Sequence, residues 1–367
     1  MFDKISSRIP KVNMTKRMRI LLKSFLITIL AISAIVVIGV ILLDRAVQPP
    51  PPTPLGDVRV PADPPPSNTN NISSEEDDDN EEEAWFEYVW PAPERFTDDN
   101  RRENFWTFLI IGLNEGQNSN TVMVASYCAI TRKANLISIP RDVVAHPTRV
   151  GRKLLSSYLA GGVPVVQRDV MNIIGFIPDF YVVIDYDAFF AIVDAVGGIY
   201  IDVPIRMRYD DPYQNLFIDI QPGWQHMDSA TALNFTRFRQ ANRNSGYPSL
   251  PDGDFGRVRN QQAVINAVIY RLLTPASILR IPQFVDIFTE SVYTNLTYTN
   301  MMYFARELNR VIGTDSLSTY TLLPVRSGGR PHYYEFLGAS NVLEIVNRTI
   351  NPFDQDLELR DLNIVTQ

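Results

Sequence analysis

A run of twenty residues without a charge, Ser24 to Leu43, dominates the hydrophobic pattern at the start of this chain, bounded by Lys23 and Asp44. At about 1.5 Å of rise per residue such a run crosses the ~30 Å hydrocarbon core of a bilayer, so the pattern predicts one transmembrane helix over residues 24–43. Seven basic residues and one acid, Asp3, precede it. The positive-inside bias then puts a basic cytoplasmic segment at 1–23 and everything after Asp44 outside the cell membrane. The competing reading is a cleaved signal peptide, but the apolar run is longer than the usual h-region and no A-x-A site follows.

The pattern vanishes between residues 44 and 104. Eleven prolines fall between Pro49 and Pro93, and within that interval Glu75–Glu83 holds eight acids in nine residues. Prolines favour extended polyproline II and like charges repel, so a disordered, solvated stalk is predicted. A spacer is the simpler reading of the acidic run; an ion or partner site is the alternative.

Periodicity returns from Phe105. Phe108–Gly112, Thr121–Tyr127, Ala134–Ile139, Tyr181–Asp185, Ile199–Val203 and Ser318–Leu323 read as strands. Helical patterns run from about Pro164 to a stop at Gly175, over Tyr186–Val196, from a cap at Asp228 to Phe238, over Phe255–Leu273, over Met301–Ile312 and over Asn341–Ile350. Strands alternating with helices predict an α/β class, a three-layer α/β/α sandwich filling residues 105–367.

The formal charge of −7 changes meaning once the acidic run is set aside, because the remainder sums to +1. A strongly basic nucleic-acid binder is excluded on that ground. One cysteine, Cys128, excludes an intrachain disulfide framework and a cysteine-based zinc site, and it reads as a buried, inert thiol. Of 22 basic residues after Phe105, 20 are arginine, whose planar fork suits phosphate and carboxylate.

Position matters more than count. Arg141 and Asp142 follow the strand ending at Pro140, at the edge where open α/β sheets place ligands. Arg237 and Arg239 sit close enough to repel unless an anion intervenes. Arg257 and Gln261, four apart on a helix, share a face; Arg259 and Gln262 make a second polar pair; Asp254 reads as the N-cap. If Arg141, Arg237, Arg239, Arg257 and Arg259 converge, the pocket suits a diphosphate. Tyr181, Phe189 and Phe190 read as plain core or as the lining of an apolar pocket.

The motif order over Phe108–Ile269 resembles the LytR-CpsA-Psr family of bacterial envelope proteins. The carriers are FLIIG, TVMVAS, LISIPRD, KLLSSYLAGG with Lys153, DFYVVIDYDAFFAIVDAVGGIYIDVP, PGWQHMDSATALNFTRFR and DFGRVRNQQ. The resemblance implies a phosphotransferase that moves a glycan from a polyprenyl-pyrophosphate carrier to peptidoglycan, with a hydrophobic pocket for the lipid tail. By position it puts the pyrophosphate-holding arginines on Arg141, Arg237, Arg239 and Arg257; within the same motifs Asp254 is a further catalytic candidate, and Arg259, Gln261, Gln262, Lys153 and Asp142 are candidates for substrate contact. It also implies Mg2+ beside the phosphates, held by two aspartates. Here those positions are Asn114 and Asn120, and an uncharged amide oxygen holds a hard cation much less well than a carboxylate. Glu115 substitutes for Asn114 only if it lies in a turn.

Two functional readings stand. One is an active glycopolymer transferase with a weakened or rearranged metal site. The other is a non-catalytic homologue that binds polyprenyl-phosphate glycolipid without transferring it; pyrophosphate hydrolysis is a remoter third. The segment 274–367 carries no assignable chemistry beyond completing the fold.

Overall fold

The computed structural model of the chain describes residues 48–52, 60–61, 87–88, 96–115, 117–147, 151–214, 216–272, 281–308, 316–328 and 333–365. The expected cytoplasmic segment, the transmembrane helix and most of the expected stalk lie outside the described residues. Among the described residues no helix is long and apolar enough to cross a membrane.

Three strands open the domain as an antiparallel meander: β1 (Phe105–Leu113), β2 (Ser119–Cys128) and β3 (Lys133–Ile139). Helix α1 (Ser157–Ile174) follows. Its backbone leaves helical geometry at Gly161 and Gly162, and Pro164 restarts it, as its missing N–H and fixed φ permit near a helix start. Gly175, with φ of 86°, ends it in the left-handed conformation a Cβ would strain. Then come β4 (Phe180–Ile184), α2 (Tyr186–Ala195), and four strands that pair as two ribbons: β5 (Ile199–Val203), β6 (Met207–Asp211), β7 (Leu216–Ile220) and β8 (Gly223–Met227). Asp185 caps α2 by accepting from the Ala188 amide, and Asp228 caps α3 (Ser229–Arg237) by accepting from Thr231, each at 2.8 Å. The chain continues through α4 (Asp254–Leu272), α5 (Ile281–Ser291), β9 (Tyr293–Thr294), α6 (Tyr298–Leu308), β10 (Leu317–Thr321), β11 (Pro324–Gly328), β12 (Tyr334–Leu337) and α7 (Ala339–Thr349).

The main sheet is mixed, with order β9-β4-β1-β2-β3-β10; β4 runs parallel to β1 and β10 parallel to β3. The mixed α/β architecture expected from the pattern is the one found. Successive side chains on a strand point to opposite faces. Leu109, Ile111, Val122, Val124 and Ile137 therefore face one way, into a core with Val166 and Val170 of α1 and Val342 and Val346 of α7. A second core joins the β5/β8 and β6/β7 ribbons to α3 and α4 through Ile199, Ile201, Met207, Ile218, Phe235, Phe238 and Val264. A buried knot ties the start of β1 to β4: Asp179 pairs with Arg101 and accepts from the Thr107 amide at 2.8 Å and its hydroxyl at 2.7 Å. Cys128 is half-buried rather than enclosed.

Candidate functional site

One cavity of 540 Å³ opens on the sheet face away from α1 and α7. Its polar wall comes from the carboxyl ends of β1 and β3, the start of β2, the end of α3 and the start of α4. These bring Asn114, Asn120, Arg141, Arg237, Arg239, Arg257 and Gln261 to one space. Its apolar wall holds Ile110, Ile184, Phe189, Leu216, Leu233, Val264 and Ile265. The two walls grade into each other along each element. Ile110 lies four strand residues, about 13 Å, back from Asn114. Val264 lies seven helical residues, about 10 Å, beyond Arg257. The cavity is cationic where the elements meet and greasy further in.

Local structure explains the placement. Asn114 Oδ1 accepts from the Asn118 amide at 2.9 Å, closing the turn between β1 and β2. Arg237 ends α3; Phe238, buried, leaves the helix in an extended conformation, so its two arginine neighbours are held on either side of a fixed anchor. Arg237 lies over the Tyr186 ring, 5.4 Å from its centre, a cation–π contact. Burial pushes the Tyr186 phenol up, Arg237 pulls it down and Glu115 pushes it up.

Arg141 Nη1 donates to Asn120 Oδ1 at 2.8 Å. Its other nitrogens lie 3.7 Å from Asp254 and 3.9 Å from Asp142. Arg257 Nη2 sits 2.6 and 2.8 Å from the two oxygens of Asp254. Burial first, then repulsion from Arg141, lowers Arg257 to about 10, which leaves it charged at neutral pH. Among the described residues neither Arg237 nor Arg239 pairs with a carboxylate. The buried Nε atoms of Arg141 and Arg257 have no hydrogen-bond partner. Arg237 and Arg239, with no carboxylate partner among the described residues, leave positive charge on this wall, which can take an anion.

Several expected residues stand elsewhere. Asp254, expected as N-cap, is the first residue of α4, and its carboxylate holds Arg257 and approaches Arg141 instead. Arg259 and Gln262, expected as a pair, diverge. Arg259 is exposed and pairs with Asp252 at 2.6 Å in the turn before the helix. Gln262 is buried and donates to Ser138 Oγ at 2.8 Å and to the Tyr320 carbonyl at 3.1 Å, bridging β3 and β10. Three helical residues span 300°, which leaves the two side chains about 60° apart around α4, enough for one to meet solvent and the other the sheet. Lys153 binds Asp142 at 2.5 Å beside the Tyr334 ring, outside the cavity wall. Of the three aromatics, Phe189 lines the cavity, while Tyr181 packs on Tyr293 and Phe190 on Phe189 outside it.

Nothing in the pattern around Glu335 singles it out. Its backbone carries a strand-like bridge to Asp142 and Val144. Burial, then the charges of Asp142 and Asp254, push its carboxyl up to about 7. The signal was unreadable in the sequence because these residues meet only through the fold.

The expected metal site does not fit. Asn120 Oδ1 is taken by Arg141 and Asn114 Oδ1 by the Asn118 amide. Of the nearby carboxylates, Asp142 is paired with Lys153 and Asp254 with Arg257; Asp185 lines the cavity and gives one oxygen to the Ala188 amide, a single carboxylate where the family pattern has two further aspartates. Glu115 does lie in the turn, but it is exposed. Among the described residues no cluster of three or more His, Cys, Asp or Glu is placed to hold a metal ion.

Residues 67–348 match the family described as the LytR_cpsA_psr family. The chain is 26% identical over 195 residues to the regulatory protein MsrR of Staphylococcus aureus (52% of this chain, 56% of that protein). It is 28% identical over 186 residues to the polyisoprenyl-teichoic acid–peptidoglycan teichoic acid transferase TagV of Bacillus subtilis (49% of this chain, 46% of that protein). The chain thus spans about half the length of these curated relatives. The crystal structure of B. subtilis TagV superposes with a TM-score of 0.57 at 23% identity, covering 67% of this chain and 96% of that one. A structure of TagT bound to LIIa-WTA gives 0.53 at 18% identity, covering 67% and 89%. At these identities the structures show a shared fold.

Proposed function

The chain belongs to the LytR_cpsA_psr family, and from that premise we propose that it transfers a glycopolymer from a polyprenyl-diphosphate carrier to a peptidoglycan acceptor at the outer face of the cell membrane. The observation that carries the proposal is a cavity with Arg141, Arg237, Arg239 and Arg257 on one wall and aliphatic and aromatic side chains on the other. Few biological ligands need both. A diphosphate esterified to an isoprenoid does: the arginines neutralise the phosphates and the apolar wall takes the first isoprene units. The activity named for TagV supports transfer over binding alone.

In the proposed reaction an acceptor hydroxyl oxygen attacks the phosphorus that bears the glycan. The bond from that phosphorus to the bridging oxygen breaks. The glycan phosphate becomes esterified to the acceptor, polyprenyl monophosphate leaves with the bridging oxygen, and the hydroxyl proton passes to water. Phosphoryl transfer of this kind needs positioning and charge neutralisation more than covalent help. Arg141 and Arg257, with buried N–H groups lacking acceptors, are suited to the charge that grows on the phosphoryl oxygens. Arg237 and Arg239 suit the diphosphate as bound. Asp254 holds Arg257 in place and approaches Arg141, and so acts as a positioning residue. Gln261, on the same helical face as Arg257, is suited to hydrogen-bond the headgroup.

The test uses the full chain in detergent with a labelled polyprenyl-diphosphate glycan and a peptidoglycan acceptor. Label transferred to the acceptor, and lost with Arg141→Ala, supports the proposal. Binding without transfer would favour the non-catalytic reading, and release of free phosphoglycan would favour hydrolysis.

A further inference from the structure

We infer that this cavity recognises its anionic headgroup through guanidinium groups alone, so that binding needs no divalent cation. The inference rests on reading the cavity as a diphosphate-lipid site and specifies how that site works. Four guanidiniums line the wall, two of them without a carboxylate partner among the described residues. A diphosphate diester carries about two negative charges, so this wall can neutralise it unaided. Arg257 remains protonated at neutral pH despite its burial.

A cation, in contrast, finds no prepared ligand set. The amide oxygens of Asn114 and Asn120 already accept hydrogen bonds, and Asn120 Oδ1 lies 2.8 Å from a permanent positive charge. An ion at that oxygen would face direct repulsion from Arg141, and the oxygen's neutrality offers nothing to offset it. Asp142 is held by Lys153 and Asp254 by Arg257, so Asp185, on the cavity wall with one oxygen given to the Ala188 amide, is a lone carboxylate among neutral amides and guanidiniums. The Arg141–Asn120 bond in effect substitutes a protein cation for a dissolved one, with its orientation fixed by the fold rather than by ion concentration.

The probe is farnesyl diphosphate, titrated calorimetrically into the full chain in detergent, once with excess EDTA and once with excess magnesium chloride. The expected result is a Kd in EDTA within about twofold of the Kd in magnesium. A loss of about tenfold or more on chelation overturns the inference while leaving the diphosphate reading intact. No binding in either buffer removes the diphosphate reading and this inference with it. Asn120→Asp sharpens the test, because a carboxylate there would neutralise Arg141. It is expected to weaken binding in EDTA about tenfold and to recover part of the loss with magnesium. Unchanged binding of this variant in EDTA, with a wild-type melting temperature, would count against the inference. Asn114→Asp, farther from any arginine contact, serves as the second variant if Asn120→Asp fails to fold; it is expected to create a magnesium response that the wild-type chain lacks.

Discussion

The two faces of strand β1 were built from the same alternating sequence and serve opposite ends. Leu109 and Ile111 are fully buried against α1 and α7, in a core whose polar groups, such as Ser126 bonded to the Thr349 carbonyl and Ser157 bonded to Asp169, are satisfied from within the protein. Ile110 and Gly112, the residues between and beside them, look into the cavity. The closed face can be rigid because it owes nothing to a ligand. The open face leaves apolar surface uncovered and the Nε groups of Arg141 and Arg257 without a hydrogen-bond partner among the described residues, which costs stability that the closed face does not give up. Gly112 marks the contrast, since a Cβ there would come within 3.0 Å of Thr121.

The sharpest way to break this comparison is to cut one side chain from each face. Leu109→Ala is expected to lower unfolding free energy by about 3–5 kcal/mol in urea denaturation, whereas Ile110→Ala, beside existing empty space, should lower it by only about 1 kcal/mol. Equal losses would mean that the cavity is not open. Next in size, Arg141→Ala should reduce the transfer rate about 100-fold or more, corresponding to ~2.7 kcal/mol of transition-state stabilisation, in the labelled-glycan assay. A rate within tenfold of wild type would remove Arg141 from the chemistry.

The adjacent glutamines separate support from function within one helix. Gln262→Ala should destabilise the fold by about 1–3 kcal/mol, since it leaves buried partners at β3 and β10 unsatisfied. Gln261→Ala should leave the melting temperature alone and raise the KM for the glycolipid. A pH effect of smaller size belongs to Glu335. Its folded-state value of about 7 lies above its ordinary 4.5. Between those values the folded state holds more protons than the unfolded one, so stability falls as pH rises from 4.5 toward 7 and levels off above. Melting curves of Glu335→Gln should lose this slope; an unchanged slope would assign it to another group. Least of all, Arg259→Ala should shift stability by less than about 1 kcal/mol, because its pairing with Asp252 is exposed, and should leave transfer within about twofold.

Much of this architecture could be read from periodicity. The meander β1–β3, the strand–helix unit of β4 and α2, and α4 to within a residue all announce themselves by alternation or by caps such as Asp228. The ribbon of β6 and β7 went unseen although Leu216, Ile218 and Ile220 alternate cleanly with Phe217 and Asp219, because the polar end of β6 and the Pro212–Gln214 turn look like loop. α5 went unseen behind the turn residues that precede it. For the site, the sequence reached Arg141, Arg237, Arg239 and Arg257 through motif order, and the fold supplied their convergence. Sequence spacing misled where the helix faces two environments at once: Arg259 and Gln262 fall on either side of the solvent boundary, which depends on where β10 packs. Glu335 was out of reach for the same reason, being brought to Asp142 by a contact nearly 200 residues long.

Gln262 ties α4, with its arginine, to a strand that ends at Thr321. All four cavity arginines are therefore synthesised well before the segment that latches their helix to the sheet edge. During folding, the arginine wall waits for a segment made much later, and a nascent chain arrested before Leu317 would carry all four cavity arginines yet lack the clasp that aligns their helix.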